Sequence, residues 1–434
     1  MAVSMSEQTA NKKDLAQWLS WIEQSHPSEI ELGLERLNEV YQRLNLDLSV
    51  SKVVIIGGTN GKGSTVAMLD QALRDAGKTV GCFTSPHFLR YNERIKLNGQ
   101  QAQDDVLVSA FERIYAACGD TSLTYFEYNA LAALIVFADA KPDVMLLEVG
   151  LGGRLDAINI VDADISVVTT VAVDHIDWLG DDREKIGYEK AGIYRSGRPA
   201  VCGDPDAPKM LLDYAAEIGA ELCARGTDFQ LTEHADGSWD WQGKSAGGDV
   251  INISGLPDIN LPKPNAAVVI QVLQLLGVSP EEGELAGSLA AATLTGRLQR
   301  IERHGCQYTL DVAHNPQAAE YVTRRLKSEP CEGKTWMVLG MLADKDITEV
   351  LGHLKDLADQ WLLVTLDVPR GQTSAALAEM LQQQGVASDR QTAYDNVAQA
   401  LEGLAPQLSA GDRVVIAGSF FTVSGALAAL ELEG

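Results

Sequence analysis

The stretch of sequence that decides the fold begins at Val53, ends at Thr65 and reads Val-Val-Ile-Ile-Gly-Gly-Thr-Asn-Gly-Lys-Gly-Ser-Thr. Its first four residues are β-branched and apolar, as in a buried strand, and the glycines that follow predict a tight turn before a helix. Glycines let backbone N–H groups surround an anion, and a helix N-terminus adds partial positive charge. Because Lys62 adds a full positive charge, the stretch predicts a strand, a polyphosphate-binding turn and a helix.

This stretch departs from the P-loop pattern G-x-x-x-x-G-K-[ST] at two positions. Ile56 stands where the first glycine belongs, and Gly63 separates Lys62 from Ser64. The hydroxyls of Ser64 and Thr65 remain available to cap the helix or to reach a Mg²⁺ ion on the phosphates. An ordinary glycine-rich turn is the alternative. We favour the phosphate site because the lysine and hydroxyls follow a buried-type strand.

Length and composition limit the class of protein. The chain has 434 residues, more than one hydrophobic core usually serves, so two domains are expected. A 46% hydrophobic content without a membrane-length apolar run, and a polar N-terminus without a signal segment, predict a cytoplasmic protein. The formal charge of −25 argues against nucleic acid and anionic membranes as partners. An anionic ligand must therefore be held locally by backbone dipoles, a few basic side chains and metal.

The alternation of strands and helices predicts a mostly parallel sheet. Buried-type strands are predicted at 79–83, 144–149 and 165–170, each followed by a polar or glycine-rich loop. Such alternation implies right-handed βαβ units, whose ligands bind at the carboxyl ends of the strands. Four chemically capable side chains follow predicted strand ends and are expected to converge on one crevice: Lys62, Ser85, Glu148 and His175.

A second α/β series follows the segment Thr295-Gly296-Arg297. Residues 229–253 alternate before it and predict a small antiparallel sheet. The prediction for the whole chain is an α/β protein with two domains. Residues 1–296 form a P-loop mononucleotide-binding domain with a mostly parallel sheet, and residues 297–434 form a smaller, Rossmann-like α/β domain.

Glu148, His175 and Ser85 are the candidate metal ligands. Hard oxygen ligands suit Mg²⁺, for which histidine is a less usual ligand. Each residue also has a plain structural alternative: a buried salt-bridge partner, a capped core histidine and a turn residue. Only their shared position at strand ends favours the metal site.

Three further positions leave the choice between structure and function open. Lys190 is of a type that usually lies on a solvated helix face, and Arg297 stands at the predicted domain joint. The segment 311–316, Asp-Val-Ala-His-Asn-Pro, is a strand end followed by a helix start, the second domain's equivalent of the phosphate turn. A helix cap and a ligand contact are equally good interpretations of that segment.

Eight blocks, in order along nearly the whole chain, give it a clear resemblance to the dihydrofolate synthase and folylpolyglutamate synthase family in its bifunctional bacterial form, within the Mur-ligase-like amide ligases. The blocks are GTNGKGS at 58–64, TSPH at 84–87, LTYFE at 123–127, LEVGLGGRLDA at 147–157, DH at 174–175, EKAG at 189–192, DVAHNP at 311–316 and GSF at 418–420.

The resemblance implies an ADP-forming ligase that adds L-glutamate to dihydropteroate and to reduced folates. Magnesium, as two ions, would be held through Ser85, Glu148 and His175, and a monovalent cation would assist. The lysine that matches Lys190 is carbamylated in the family. A monomer is expected. The implied ATP contacts are Thr59, Asn60, Gly61, Lys62, Gly63, Ser64, Asn265, Arg297 and Asp311.

The implied pterin pocket comprises three segments. Glu31 and Ile158 depart mildly from the family pattern, which has Asp and Thr at these positions. The pocket residues are Glu31, Leu32, Gly33 and Leu34, then Thr124, Tyr125, Phe126 and Glu127, then Leu155, Asp156 and Ala157.

The implied chemistry is transfer of the ATP γ-phosphoryl group to a carboxylate, followed by attack of the glutamate amine on the acyl phosphate. The residues predicted to be catalytic are Lys62, His175, Lys190, Asp311 and His314. A monofunctional folylpolyglutamate synthase is the nearest alternative. Muramyl ligases carry a further domain before the loop, for which about fifty residues are too few. A nucleotide-dependent switch would hydrolyse ATP without consuming glutamate.

Overall fold

The computed structural model describes residues 13–28 and 31–431, except for the side chain of Asp177. The N-terminal residues 1–12, on which part of the location prediction rests, lie outside this range. Among the described residues, no helix combines the length and apolar character that crossing a membrane requires.

The N-terminal part is built on an eight-stranded sheet with the order β4-β3-β2-β5-β1-β6-β7-β8. All neighbouring pairs are parallel except β2 with β3 and β3 with β4. The strands are β1 (Lys52–Gly57), β2 (Val80–Phe83), β3 (Ile95–Leu97), β4 (Gln100–Gln101), β5 (Val144–Glu148), β6 (Ile165–Val168), β7 (Pro199–Cys202) and β8 (Glu221–Ala224).

The central strand β1 is buried on both faces, which explains its uninterrupted apolar sequence. Val53 and Ile55 pack into one core, and Val54 and Ile56 into the other. The helices that cover the sheet are α1 (Leu15–Gln24), α2 (Glu35–Leu44), α3 (Lys62–Asp75), α4 (Asp104–Cys118), α5 (Tyr125–Ala140), α6 (Ile176–Leu179), α7 (Arg183–Ala191), α8 (Lys209–Ile218), α9 (Lys263–Leu275) and α10 (Glu282–Ala291).

The antiparallel sheet predicted over 229–253 is present, in the order β11-β10-β9. It contributes to the core around α9, where the Trp241 indole donates to the Ala267 carbonyl at 3.0 Å. Its strands are β9 (Gln230–Glu233), β10 (Trp239–Lys244) and β11 (Val250–Leu256).

The C-terminal part is a six-stranded sheet in the order β12-β13-β17-β14-β15-β16, parallel except for β12 with β13. Its strands are β12 (Gln299–Arg303), β13 (Cys306–Leu310), β14 (Thr335–Leu339), β15 (Gln360–Val364), β16 (Gln391–Tyr394) and β17 (Arg413–Ala417). Its helices are α11 (Pro316–Lys327), α12 (Ile347–Leu354), α13 (Ser374–Gln383), α14 (Val397–Leu404) and α15 (Phe420–Ala429).

Among the residues that the structure describes there are also four short 3₁₀ helices, at Tyr91–Arg94, Ala157–Ile160, Ser388–Arg390 and Ala405–Gln407. The two sheets, one large and mostly parallel and one smaller, confirm the predicted fold class. The division at 296/297 stays a prediction. The second sheet begins at Gln299.

Candidate active site

The carboxyl ends of strands from both sheets border one cleft with a volume of about 1680 Å³. Lys190 and the three predicted pterin segments are not among the residues that line this cleft. The sequence-predicted residues that do line it are Thr59, Asn60, Gly61, Lys62, Gly63, Ser64, Ser85, Glu148, His175, Asn265, Arg297, Asp311 and His314.

Two glycines of the loop after β1 adopt backbone conformations that side chains rarely allow. Gly58 has φ +137°, and a Cβ there would lie 1.9 Å from Thr169 Oγ1. Gly61 has φ +90°, and its Cβ would lie 2.6 Å from the side-chain amide of Asn265. Asn265 therefore packs directly on the loop from α9. The bare backbone at these positions leaves N–H groups open to a bound anion.

Lys62 begins α3 and turns its ammonium group back over the loop. The Nζ atom donates to the carbonyl oxygens of Gly58 at 2.9 Å and Thr59 at 3.3 Å. Desolvation lowers the pKa of Lys62, and the carboxylates of Glu148 and Asp174 oppose that shift. The loop thus holds a cation beside the predicted metal ligand Glu148.

Glu148 ends β5 and is 5% exposed. One of its carboxylate oxygens accepts from the Ser85 backbone N–H at 3.3 Å, which brings two predicted metal ligands together. Burial raises the pKa of Glu148, and the nearby Lys62 works against this. A buried carboxylate with one weak donor has unused acceptor capacity, which a divalent cation would satisfy.

His175 is the residue before α6 and has φ +53°. Desolvation within the cleft lowers the pKa of His175 to about 4, so the imidazole is neutral near pH 7 and has a free lone pair. Across residues 13–28 and 31–431, no group of three or more His, Cys, Asp and Glu side chains is arranged to hold a metal ion. Independently of this, the buried Glu148 carboxylate and the neutral His175 imidazole are donors that suit a divalent ion with phosphate oxygens as its other ligands.

Asp174 connects the two sheets, which the sequence analysis did not predict. Its carboxylate pairs with Lys345 at 2.6 Å and lies 3.4 Å from His314 Nε2. The side chains of Asp174 and Lys345 are each 9% exposed. Desolvation acts to raise the pKa of Asp174. The hydrogen bond and charge of His314, together with the charge of Lys345, outweigh this and hold that pKa well below its usual range. Lys345 follows β14, so the strand-end rule offered a signal for it.

His314 is oriented by its own backbone. Its Nδ1 donates to the Val312 carbonyl at 2.8 Å, because a carbonyl can only accept, and this aims Nε2 at Asp174. A predicted catalytic residue therefore contacts the position next to the predicted metal ligand His175.

A second contact between the sheets joins Asn60 to the start of α11. Asn315 donates to the Asn60 side-chain oxygen at 2.9 Å, while its own oxygen accepts from the Ala318 backbone N–H at 3.0 Å. Asn60 also donates to Gln317 at 2.6 Å. Asn315 is thus both a helix cap and a bridge to the glycine loop.

Asp311 is committed to backbone hydrogen bonds. It accepts from the N–H groups of Leu298 and Ala313, each at 2.8 Å. Burial raises the pKa of Asp311, and Arg297 opposes the rise. Arg297 lies 5.3 Å from the Phe420 ring centroid. Since Asn315 caps α11, the helix-cap interpretation of this segment is confirmed, and its contact with a ligand stays a prediction.

Lys190 lies on α7 and is 4% exposed, so it is not a solvated helix lysine. Desolvation, followed by the charge of Lys62, lowers the pKa of Lys190 to about 7. A substantial fraction of this amine is neutral near pH 7, which is the form that reacts as a nucleophile.

The three predicted pterin segments adjoin one another. Arg36 forms ion pairs with Glu31 at 3.0 Å and Glu127 at 3.2 Å, linking the first two segments. The Phe126 ring packs so closely on Gly150 that a Cβ there would lie 2.5 Å from the ring, which brings the third segment near. Two further residues of these segments lie at helix starts: Thr124 caps α5, and Leu34 precedes α2.

Asp156 fixes the backbone of the third segment. Its carboxylate accepts from the N–H groups of Gly150 at 3.0 Å, Leu151 at 2.9 Å and Ile158 at 2.9 Å. Burial raises the pKa of Asp156 to about 6 despite these bonds.

Comparison with known proteins finds two family domains in this chain. The Mur ligase middle domain matches residues 56–223, and the Mur ligase glutamate ligase domain matches residues 296–420. The dihydrofolate synthase/folylpolyglutamate synthase of Escherichia coli (strain K12) is 44% identical over 426 residues, which cover 98% of this chain and 97% of that protein. The Haemophilus influenzae protein of the same name is 39% identical over 430 residues, covering 94% and 96%.

Solved structures agree with this match. The E. coli FolC structure in complex with DHPP and ADP has a TM-score of 0.90 at 43% identity, covering 98% of this chain and 99% of that one. A bifunctional folylpolyglutamate synthase/dihydrofolate synthase with Mn, AMPPNP and L-glutamate bound has a TM-score of 0.87 at 43% identity, covering 97% and 98%. The family predicted from the sequence blocks is confirmed. This chain belongs to the dihydrofolate synthase/folylpolyglutamate synthase family.

Proposed function

We propose that this chain is an ADP-forming ligase that joins L-glutamate to dihydropteroate and to reduced folates. The observation that carries the proposal is that Lys62 and Glu148 from one sheet line the same cleft as Asp311 and His314 from the other. Relatives that bind DHPP with ADP, and AMPPNP with Mn and L-glutamate, support these substrates.

ATP would bind with its phosphates in the glycine loop of residues 59–64. The positive φ of Gly61 and the closeness of Asn265 support this position. Arg297, which precedes β12, and Asp311, which follows β13, would contact the nucleotide from the side of the second sheet, since both line the same cleft.

Mg²⁺, as two ions, is the proposed divalent metal, with a monovalent cation assisting. Glu148, His175 and Ser85 would hold it together with phosphate oxygens. The unused acceptor capacity of the buried Glu148 carboxylate supports a cation at this place. When bound, the metal supplies electrostatic stabilisation of the transferring phosphoryl group.

Residues of the chain itself would stabilise the developing charge and exclude water. A carboxylate becomes a good acyl donor only after phosphorylation, and Lys62 would offset the charge that develops on the phosphoryl group. Lys345 and His314 hold the second sheet against Asp174, which supports exclusion of water from the acyl phosphate. The glutamate amine then attacks the acyl carbon, and phosphate leaves.

Lys190 would act as a carbamate, formed when its neutral amine attacks CO₂. Its burial and its pKa near 7 support this modification. Activity in CO₂-depleted buffer should rise when bicarbonate is added, and the gain should be absent in Lys190→Met. Equal activity with and without bicarbonate, together with no ¹³C carbamate signal in labelled protein, would contradict it.

The acceptor would lie along the three adjoining segments that contain Glu31, Phe126 and Asp156. Their packing through Arg36 and Gly150 supports one continuous pocket.

The test is ADP formation with glutamate and either dihydropteroate, a tetrahydrofolate or no acceptor. We expect turnover with each acceptor and none without. Turnover with tetrahydrofolate alone would identify a monofunctional folylpolyglutamate synthase. Acceptor-independent ATP hydrolysis would indicate a nucleotide switch. Size-exclusion chromatography and cell fractionation would test the predicted monomer and the cytoplasmic location.

A further inference from the structure

Arg94 is a buried cation beside the predicted metal ligands. It is 8% exposed and ends the 3₁₀ helix Tyr91–Arg94. Its carbonyl accepts from the Thr84 N–H at 2.9 Å, next to Ser85. Because the Ser85 N–H in turn donates to Glu148, Arg94 lies one residue from the predicted metal site.

Within the described part of the chain, no carboxylate lies within ion-pair distance of this guanidinium. Its one side-chain hydrogen bond there runs from Nε to His87 Nδ1 at 2.8 Å. The neighbouring Glu93 is occupied, since it accepts from the N–H groups of Phe88 at 2.7 Å, Leu89 at 2.8 Å and Arg90 at 2.6 Å. The two terminal nitrogens of Arg94 therefore keep their donors for another group. A buried charge without a partner is costly, so a ligand anion is the expected partner.

The surroundings of Arg94 fix the direction in which a ligand would lie. Its guanidinium carbon is 5.6 Å from the Tyr125 ring centroid and 5.9 Å from that of Tyr91. Tyr125 belongs to the second predicted pterin segment, and His87, which Arg94 contacts, lines the cleft. Arg94 thus lies between the predicted pterin pocket and the predicted site of phosphoryl transfer.

An acceptor must span that interval, with its pterin in the pocket and its reacting carboxylate at the phosphates. At the reacting end, a folate carries a glutamate with two carboxylates. The γ-carboxylate reacts, and the α-carboxylate stays charged. Dihydropteroate has only the reacting carboxylate. We propose that Arg94 binds the α-carboxylate of the terminal glutamate of folate acceptors. This inference rests on the proposed function and assigns a specificity-determining residue to it.

The experiment compares Arg94→Met and Arg94→Lys with wild type on three acceptors: dihydropteroate, tetrahydrofolate, and a tetrahydropteroyl-γ-aminobutyrate that lacks the α-carboxylate. A charge-assisted bidentate hydrogen bond supports an effect of about 10- to 100-fold. We expect Arg94→Met to lower kcat/KM for tetrahydrofolate about 10- to 100-fold more than for the other two acceptors. Arg94→Lys should recover part of the difference.

Arg90→Met is the matched control, because Arg90 lies in the same segment but has a side chain 66% exposed and paired with Asp104. It should leave the ratio of the acceptors unchanged. Thermal unfolding of each variant separates misfolding from loss of recognition.

An equal loss with all three acceptors in a folded Arg94→Met variant would overturn the proposal. So would an increase in the KM for glutamate when dihydropteroate is the acceptor, since that would place the incoming amino acid at Arg94. A wild-type protein without glutamate-dependent turnover on any acceptor would instead overturn the proposed function.

Discussion

The loop after β1 and the turn after β13 occupy equivalent places in their sheets, yet they are built for different purposes. The first contains Gly58 and Gly61 at positive φ, with bare backbone where side chains cannot fit. In the second, the side chains of Asp311 and Asn315 accept from the backbone N–H groups of Ala313 and Ala318. In the first turn the N–H groups of Thr59 and Asn60 donate to Thr170, and that of Gly61 has no acceptor among the described residues, whereas the second turn caps part of its own backbone.

This difference teaches that a strand end followed by polar residues is not by itself a binding site. What decides is whether the backbone donors are already occupied. The capped turn also contributes contacts across the cleft, through Asn315 to Asn60 and through His314 to Asp174. Four substitutions test this contrast.

Lys62→Met should have the largest effect, because it removes the full positive charge of the open loop. We expect kcat for glutamate-dependent ADP formation to fall about 1,000-fold or more, by analogy with other electrostatic contacts to transferring groups. Lys52→Met is the control, since Lys52 begins the same strand and its side chain is 64% exposed. Near-normal turnover of Lys62→Met would show that the loop does not contribute to the reaction in the proposed way.

Gly61→Ala should lower nucleotide affinity about 100-fold, because its Cβ would meet Asn265 at 2.6 Å in a backbone conformation that alanine disfavours. Isothermal titration with AMPPNP measures the change. Gly77→Ala has a similar φ of +77° with open space around it, so it should cost about 1 kcal/mol of stability while nucleotide binding stays unchanged. Equal nucleotide affinity in the two variants would contradict the proposed cradle.

Lys345→Met should lower kcat/KM about 10-fold, because it leaves the buried Asp174 carboxylate without its closest cation and weakens the contact across the cleft. Adding Asp174→Asn should restore part of the loss if the two residues act as a pair, which a double-mutant cycle measures. Lys209→Met, which breaks an exposed pair with Asp213, should have little effect. Strictly additive losses would show that Lys345 acts independently of Asp174.

Asn315→Ala should have the smallest effect. Loss of the α11 cap should cost about 1 kcal/mol of stability, and loss of the bond to Asn60 should lower kcat/KM a few-fold. Asn396→Ala removes a comparable cap from α14 without any bond to the loop. Both variants should lose similar stability in urea unfolding, and a loss of activity in both would indicate that the cap alone matters.

The strongly patterned elements were predictable from the sequence, and the weak ones were not. The apolar run of residues 126–140 indicates a helix from the sequence alone, and the structure has α5 (Tyr125–Ala140) there, because a long apolar run between a capping threonine and a proline leaves few alternatives. The prediction omitted β7 and β8 as well as the single-turn helix α6. β8 is exposed or half-buried throughout, so it lacks the apolar signal of a central strand.

Within the site, too, only side chains whose role depends on neighbouring residues in the sequence were predictable. The glycine loop was predictable because its glycines and its lysine are adjacent in the sequence. The pairing of Asp174 with Lys345 joins positions 171 residues apart, and that of Asn60 with Asn315 joins positions 255 residues apart. Arg94 gave no signal in the sequence because its lack of a partner emerges only when its neighbours are placed around it.

By itself, the sequence determined the two α/β units, the glycine turn after β1 and the family, since each depends on short-range patterns of apolar residues, glycines and caps. Only the tertiary structure decided which backbone donors of the two turns are bonded, which charges face each other across the cleft, and which buried cation has no ion-pair partner among the described residues. Those outcomes depend on distances between residues remote in sequence, and electrostatic and hydrogen-bond energies are set by such distances.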